Sequence, residues 1–542
     1  MDAFFHIAPP PNEPVLDYAP GSSERAALKQ ALSELKSQQL DIPMFIGGKE
    51  VYTDHRVPIH PPHEHSHVLG HYYKGDKSHV LQAVEAALKA KKAWEETPWW
   101  ERAAIFMKAA ELISTKYRAQ LNAAAMHCQS KNVFQAEIDI VCELADFYRF
   151  NAYFATQIYK DQPFSPKGTW NRMDYRPLEG FVFALTPFNF ASIAGNLPGA
   201  PALMGNTVVW KPSNDQIYSA WFIMQVLREA GLPDGVINLI YVDGPVAGEV
   251  LFAHPDFAGL HFTGSTTTFQ TLWKNIASNL QLYKSYPRIV GETGGKDFVL
   301  VHASADPVEA AVALTRGAFE YQGQKCSAAS RAYIPKSLWK EVWEVMHGHL
   351  EEITLGSPEN FTHFMNAVIN RKAFDKIKNY IDEARNNPSV EILFGGGCDD
   401  SVGYFIQPTV LRTDNPFYRT MCEEIFGPVL TVYIYDDDEY DRIVEIVDKS
   451  TPYGLTGALF AKDRAVIDRT TAALRHAAGN YYINDKPTGA VVGQQPFGGS
   501  RASGTNDKAG SHLNLLRWVS PRTIKENFNP PRDYRYPFME AP

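Results

Sequence analysis

The chain has 542 residues, more than one compact core holds, and at ~100–200 residues per domain it predicts about three domains. Its 45% hydrophobic and 21% charged content is that of a globular protein and excludes collagen-like, low-complexity and largely disordered architectures. Fifty-two basic against 61 acidic residues give a net charge of −9, the wrong balance for a protein whose main task is gripping nucleic acid.

In chain order, the first 20 residues, with Pro-Pro-Pro at 9–11, read as a surface arm. Over residues 1–30, Asp2, Glu13, Asp17 and Glu24 outnumber Arg25 and Lys29, which fits neither a basic transit peptide nor a signal peptide. The expected compartment is the cytoplasm for a bacterial source, or the mitochondrial matrix for a processed eukaryotic chain. Leu28, Leu32 and Leu35 predict a helix over 23–37. His55, His60, His63, His65, His67 and His71 crowd the next segment; they read as solvated surface, and no metal is expected. A second helix spans 78–96, and Thr97-Pro98 reads as the N-cap and first residue of a third. Helical sequence continues to about 160. Residues 164–180 read as a polar, aromatic hairpin. Residues 180–210 carry no charged side chain, yet Pro187, Pro198, Pro201, Asn189, Asn196 and Asn206 make them buried interior rather than a membrane span.

From 181, apolar runs at 181–185, 207–210, 236–242 and 259–263 alternate with helices, one of which Ser213 caps and Gly231 ends. This β-α-β-α-β order predicts a parallel, doubly wound sheet. A second α/β series begins near 297, with strands at 298–302, 331–335, 429–435 and 480–484. Residues 525–542 form a Pro- and Tyr-rich tail. Cys128, Cys142, Cys326, Cys398 and Cys422 are odd in number and lack C-x-x-C spacing, which argues against a disulfide framework and for a reducing compartment.

Neither G-x-G-x-x-G nor G-x-x-x-x-G-K-[ST] occurs. The nearest phosphate cradle is Phe262-Thr263-Gly264-Ser265-Thr266, which alone is an ordinary β-α turn. Gly323-Gln324-Lys325-Cys326-Ser327 sets a thiol beside a lysine among small residues, surroundings that lower a thiol pKa and leave it accessible. Glu292 precedes a double-glycine turn, and Asn189 ends an apolar strand where an amide can stabilise an oxyanion. Taken singly, each has a bland reading: an inert buried cysteine, a turn carboxylate, a loop amide.

Together they are different. Pro187-Phe188-Asn189, Trp210-Lys211-Pro212-Ser213, Phe262-Thr263-Gly264-Ser265, Glu292-x-Gly294-Gly295-Lys296, Gly323-Gln324-x-Cys326, Glu424-Ile425-Phe426-Gly427-Pro428 and Pro496-Phe497-Gly498-Gly499 resemble, in order and spacing, the aldehyde dehydrogenase superfamily over about residues 40–520. Asp146-Phe147-Tyr148-Arg149-Phe150-Asn151, Phe319-Glu320-Tyr321, Lys325-Cys326-Ser327 and Val492-Gly493-Gln494-Gln495 are similar to its stand-alone 1-pyrroline-5-carboxylate dehydrogenase branch.

The resemblance implies a Rossmann-type NAD-binding domain, a second α/β catalytic domain and a small oligomerisation hairpin and tail. The implied division is arm and helices at 1–163, hairpin at 164–180, NAD-binding domain at 181–295 and 491–524, catalytic domain at 296–490 and tail at 525–542. It implies Cys326 as nucleophile, Glu292 as the base that activates water, and Asn189 with the Cys326 N–H as oxyanion donors. For NAD it implies Lys211, Ser213, Gly264, Ser265, Glu424 and Phe426. For the substrate, L-glutamate γ-semialdehyde, it implies Glu143 at the ammonium, Gly489, Ala490 and Ser327 at the carboxylate end, and Phe190 and Phe497 along the stem. The implied partner is a second copy of the chain, with neither nucleic acid nor membrane. Two positions depart from the pattern: Phe269 stands where the phosphate turn often ends in glycine, and Ala490 where the branch has serine. Competing readings are a dehydrogenase for another small polar semialdehyde, a coenzyme-A-acylating enzyme, which tends to lack the carboxylate at Glu292, and a non-catalytic structural protein on the same fold.

Overall fold

Apolar runs free of charge become strands buried on both faces, as parallel sheets require. Phe181–Thr186 and Phe257–Thr263 are such runs, and Thr207–Pro212 is one up to Trp210. In this computed structural model, which describes residues 7–540, they sit in a seven-stranded sheet. Its order is Arg288–Glu292, Phe257–Thr263, Phe181–Thr186, Thr207–Pro212, Ile237–Leu239, Met44–Ile46 and Lys49–Val51. The first five run parallel, and the last two form an antiparallel edge. A second seven-stranded sheet orders Val390–Phe394, Thr409–Thr413, Val429–Tyr435, Ala329–Pro335, Asp297–Val301, Thr456–Phe460 and Asn480–Ile483, all parallel but the first. The expected α/β class is what the chain adopts. Residues 1–6 of the expected arm and 541–542 of the tail lie outside the described residues.

Helices cover the first sheet. Ser23–Ser37 is capped by the Ser22 hydroxyl and buries Leu28, Leu32 and Leu35. Lys77–Glu96 opens with an Asp76–His79 capping box. Thr97 does not cap the third helix as expected: its hydroxyl donates to the Ala93 carbonyl at 2.8 Å, closing the second helix, and Trp99–Ser114 begins after Pro98 with no side-chain cap. Ser213 likewise makes no cap bond; a short 3-10 turn, Asn214–Gln216, intervenes before helix Ile217–Ala230, which does end at Gly231 with φ +100°. The uncharged stretch forms helix Ala191–Leu203 in the core, and its asparagines are satisfied there. Asn206 donates to the Pro201 and Trp518 carbonyls, Asn196 accepts from Asn151, and Asn189 donates to the Gln324 carbonyl. Among the described residues no helix is long and apolar enough to cross a membrane.

Residues 164–180 are not a hairpin. Thr169–Pro177 is a single strand whose antiparallel partner is Val519–Asn527, in register from Val519–Pro177 to Asn527–Thr169. No return turn is available, because at Gly180 (φ +128°) the chain passes directly into the first sheet. The C-terminal segment therefore joins this ribbon from 519, ahead of the expected tail. The histidine run also differs from expectation: His55 and His60 are exposed, but His63 is buried.

Candidate active site

In a parallel sheet, ligands gather beyond the carboxyl ends of the strands where the strand order switches. Asn189 follows strand Phe181–Thr186; Lys211 closes the neighbouring strand on one side, and Gly264-Ser265 follows the neighbour on the other. Glu292 ends the next strand out. The second sheet faces them with the loops that enter its strands: Cys326-Ser327 before Ala329–Pro335, and Glu424–Phe426 before Val429–Tyr435.

The Cys326 loop is strained. Tyr321 and Gln322 have φ of 51° and 55°, followed by Gly323 at 64°. A Cβ on Gly323 would lie 2.2 Å from the Gly427 carbonyl oxygen, so the loop closes against the Phe426 turn only with glycine there. Phe426 itself has φ +62° and its ring meets Phe188 edge-on at 5.8 Å. The Asn189 amide donates to the Gln324 carbonyl at 3.1 Å, two residues before the thiol.

Electrostatics depart from the sequence expectation at Cys326. Burial, then the Glu292, Asp297 and Glu424 carboxylates, push its thiol well above the ordinary range. Lys325 does not oppose this, because its ammonium lies 3.0 Å from Glu320 Oε2, in a buried pair. Burial likewise raises Glu292 to about 8, with Asp507 raising it further and Lys508 lowering it. A carboxyl poised there suits a general base. Lys508 is held by the Gly479 and Gly498 carbonyls at 2.7 and 3.0 Å.

Glu143 ends a π-helical turn, Glu137–Glu143, a distortion often found at functional sites. It accepts from Ser192 Oγ at 3.0 Å, and burial raises its carboxyl to about 8. Its charge acts on both Lys325 and Lys131. Lys131 pairs with Asp139 at 2.6 Å and sits over the rings of Phe190 and Tyr321 at 4.3 and 4.5 Å. Ser327 Oγ is 2.8 Å from Thr488 Oγ1, which ties the thiol's loop to Gly489 (φ +101°) and Ala490. Phe497 is half-buried and pairs through its backbone with Ala509, next to Lys508.

Lys211 and Ser213 lie apart from this group. The Lys211 ammonium is buried and donates to the Pro212 carbonyl at 3.2 Å; burial lowers it to about 8, while Asp243 and Asp215 act to raise it. The Ser213 N–H donates to the Thr186 carbonyl, joining the two strand ends. Ser265 caps helix Thr266–Ser278 through the Thr268 N–H, so its hydroxyl is already engaged and the helix N-terminus is the anion-attracting feature. Phe269 is not part of that turn: it lies a helical turn further on, stacked on Phe262 at 5.5 Å and filling the space beside Gly291. Glu424 Oε1 accepts from the Gly295 N–H at 3.0 Å, and a Cβ on Gly294 would stand 2.3 Å from that carboxylate.

Sequence reasoning missed Lys131, Asp139, Asp297 and Lys508. Lys131 and its partner Asp139 stand eight positions apart across a helix start, a spacing that no periodic pattern flags.

The sequence profile described as the aldehyde dehydrogenase family matches residues 51–524. A probable delta-1-pyrroline-5-carboxylate dehydrogenase of Schizosaccharomyces pombe is 50% identical over 523 residues, 95% of each chain. The mitochondrial delta-1-pyrroline-5-carboxylate dehydrogenase of Homo sapiens is 49% identical over 531 residues, 98% of this chain and 94% of that one. The solved Delta-pyrroline-5-carboxylate dehydrogenase from Mycobacterium tuberculosis bound with NAD superposes with a TM-score of 0.97 at 51% identity, covering 100% of both chains. A thiol loop and a carboxylate facing each other across two sheets, in a chain that matches over most of its length, have one reading: this chain belongs to the aldehyde dehydrogenase family.

Proposed function

We propose that this chain oxidises L-glutamate γ-semialdehyde, the open form of 1-pyrroline-5-carboxylate, to L-glutamate with NAD. The observation that carries the proposal is that two buried carboxylates act on the thiol's loop. Glu292 acts on Cys326, while Glu143 acts on Lys325, the residue beside the nucleophile. The first pair is reaction machinery. The second offers a carboxylate to the ammonium group of the substrate.

The residues present fit a dinucleotide. Lys211 holds a buried ammonium with hydrogen-bonding capacity to spare for an adenosine-side ribose, beside Ser213. The helix N-terminus at Gly264-Ser265 suits a pyrophosphate, and Glu424, against glycines that admit no Cβ, suits the nicotinamide-side ribose with Phe426 alongside. Bound NAD supplies the hydride acceptor. Ionised Glu292 takes the Cys326 thiol proton and passes it to solvent, the thiolate adds to the aldehyde carbon, and the oxyanion takes hydrogen bonds from Asn189 Nδ2 and the Cys326 N–H. Hydride loss from that carbon re-forms the carbonyl as a thioester. Glu292 then takes a proton from water, whose oxygen attacks the thioester; the C–S bond breaks and the thiolate returns. An acylating route to coenzyme A would have no use for Glu292, and a non-catalytic protein none for the strained Cys326 loop.

The direct test is a panel of aldehydes with NAD. The semialdehyde is expected to be oxidised far more efficiently than propionaldehyde or benzaldehyde, and Cys326→Ser to abolish turnover. Equal use of the simple aldehydes would sink the substrate assignment. The proposal also includes a homodimer, and location in the matrix for a eukaryotic source or the cytoplasm for a bacterial one. In support of the matrix reading, six relatives' names carry the word mitochondrial. Trp170, Tyr534 and Tyr536 are 49%, 83% and 65% exposed and offer aromatic area to a second copy. Tyr175, on the same strand as Trp170, packs on its own chain instead, its hydroxyl donating to the Asp161 carbonyl and its ring against Tyr159.

A further inference from the structure

The proposed reaction makes no use of the histidine run, yet one member is interior. His63 is 2% exposed and lies in the connection between strands Arg56–Ile59 and Gly70–Tyr73. Its ring stacks on His127, from the last turn of helix Arg118–Gln129, with centroids 6.2 Å apart. Glu359, beyond helix Lys336–Glu352, completes the group. One nitrogen from each imidazole and one Glu359 oxygen lie within 4.8 Å of one another, with His63 Nε2 4.0 Å from Glu359 Oε1.

At His127 a hydrogen bond fixes where the lone pair sits. His127 Nε2 is 3.0 Å from the Leu32 carbonyl oxygen, which only accepts, so Nε2 carries the proton and Nδ1 the lone pair. His63 Nδ1 is 3.2 Å from Ser130 Oγ, while its Nε2 is buried with no partner among the described residues. One ring nitrogen anchored on a protein oxygen and the other left free is how metal-binding histidines are oriented. His67 Nε2, in the same run, is also buried and unpartnered.

We propose that His63, His127 and Glu359 form a site for a divalent d-block cation of the zinc type, which clamps the N-terminal layer to the second sheet's unit. Two imidazoles and a carboxylate are a zinc donor set, and a fourth position remains for water or His67. Bond lengths of ~2.0–2.2 Å require the ligands to close by about 1 Å, within reach of side-chain rotation. Lys36 is the competitor. Its ammonium bridges Glu359 at 2.6 Å and Glu64 at 2.8 Å, and at 32% side-chain exposure it has a path to solvent when a metal enters.

The test uses the full chain carrying Cys326→Ala, so that the reaction-site thiol does not take up metal. After stripping with chelator, zinc chloride is titrated by calorimetry and retained metal is counted after dialysis. One equivalent is expected, with affinity lowered at least ~10-fold in Glu359→Gln and His127→Gln and raised in Lys36→Met. Cobalt is expected to give visible d–d bands that Glu359→Gln loses. Circular dichroism checks that each variant is folded, and the partly exposed Glu359 serves if His127→Gln is not. Absence of zinc binding, or equal binding in folded Glu359→Gln, overturns the site.

Discussion

Glu292 is useful as a base only when ionised, and its carboxyl sits at about 8. Where thioester hydrolysis limits turnover, the rate is therefore expected to climb from about pH 7 to about pH 9 as the ionised fraction grows. Glu292→Gln should give a single burst of NADH and a flat, slow steady state; a steep profile persisting in that variant would assign the titration elsewhere. At Glu143 a docked ammonium is the opposite charge that restores ionisation. A hydrogen bond between charged groups contributes ~1.5–3 kcal/mol, so Glu143→Gln is expected to raise KM for the semialdehyde ~10–100-fold and leave propionaldehyde unchanged. Ala490→Ser adds one neutral donor beside Gly489, about 1 kcal/mol, and should lower the same KM roughly fivefold. Sequence made the identity of these residues legible but not their charge states. Cys326 shows why: the neighbouring lysine in sequence turns to Glu320, while the carboxylates that act on the thiol come from positions 292, 297 and 424. Proximity along the chain and proximity in space part company there.

At the scale of elements, the long apolar runs were legible because a strand buried on both faces leaves a run of uniform hydrophobicity. Arg288–Glu292 and Thr456–Phe460 were not, being short and interrupted by Gly291 and Gly457, each of which lies under a phenylalanine ring. The π turn was equally silent, since an extra residue in a helix changes neither composition nor polarity. It turns Glu137, Asp139 and Glu143 inward, where they meet Arg118, Lys131 and Ser192. Removing one residue from it rotates the flanking helices by ~100° and separates Lys131 from Asp139. The Glu292–Lys296 turn has its own constraint. Gly294→Ala sets a methyl against the Glu424 carboxylate and is expected to raise KM for NAD with the fold retained, as read by thermal melting. Near the adenosine-side position, Asp215 and Asp243 both act on Lys211. They should repel a 2′-phosphate, so kcat/KM is expected to favour NAD over NADP; equal values would show that they do not reach the phosphate.

For the whole molecule, the two sheets followed from alternating strand and helix patterns and the site residues from the family resemblance, whereas the partner of Thr169–Pro177 followed from neither. Local pattern suggests a hairpin, and the true partner is a strand from the far end of the chain. Truncation after 518 removes that partner and the exposed Tyr534, Tyr536 and Phe538 together. Light scattering at micromolar concentration is expected to report dimers for the full chain and monomers or aggregates for the truncated one. Dimers surviving the truncation would move the interface elsewhere. The ribbon also imposes a timetable. Its strands are joined by contacts such as Met173 to Thr523, 350 residues apart in the chain. At ~5–20 residues per second a ribosome needs roughly 20–70 s to deliver the second strand after the first emerges. Through that interval the first strand waits as an open edge, guarded by Arg172, Arg176 and Pro177 against pairing with a neighbouring nascent chain.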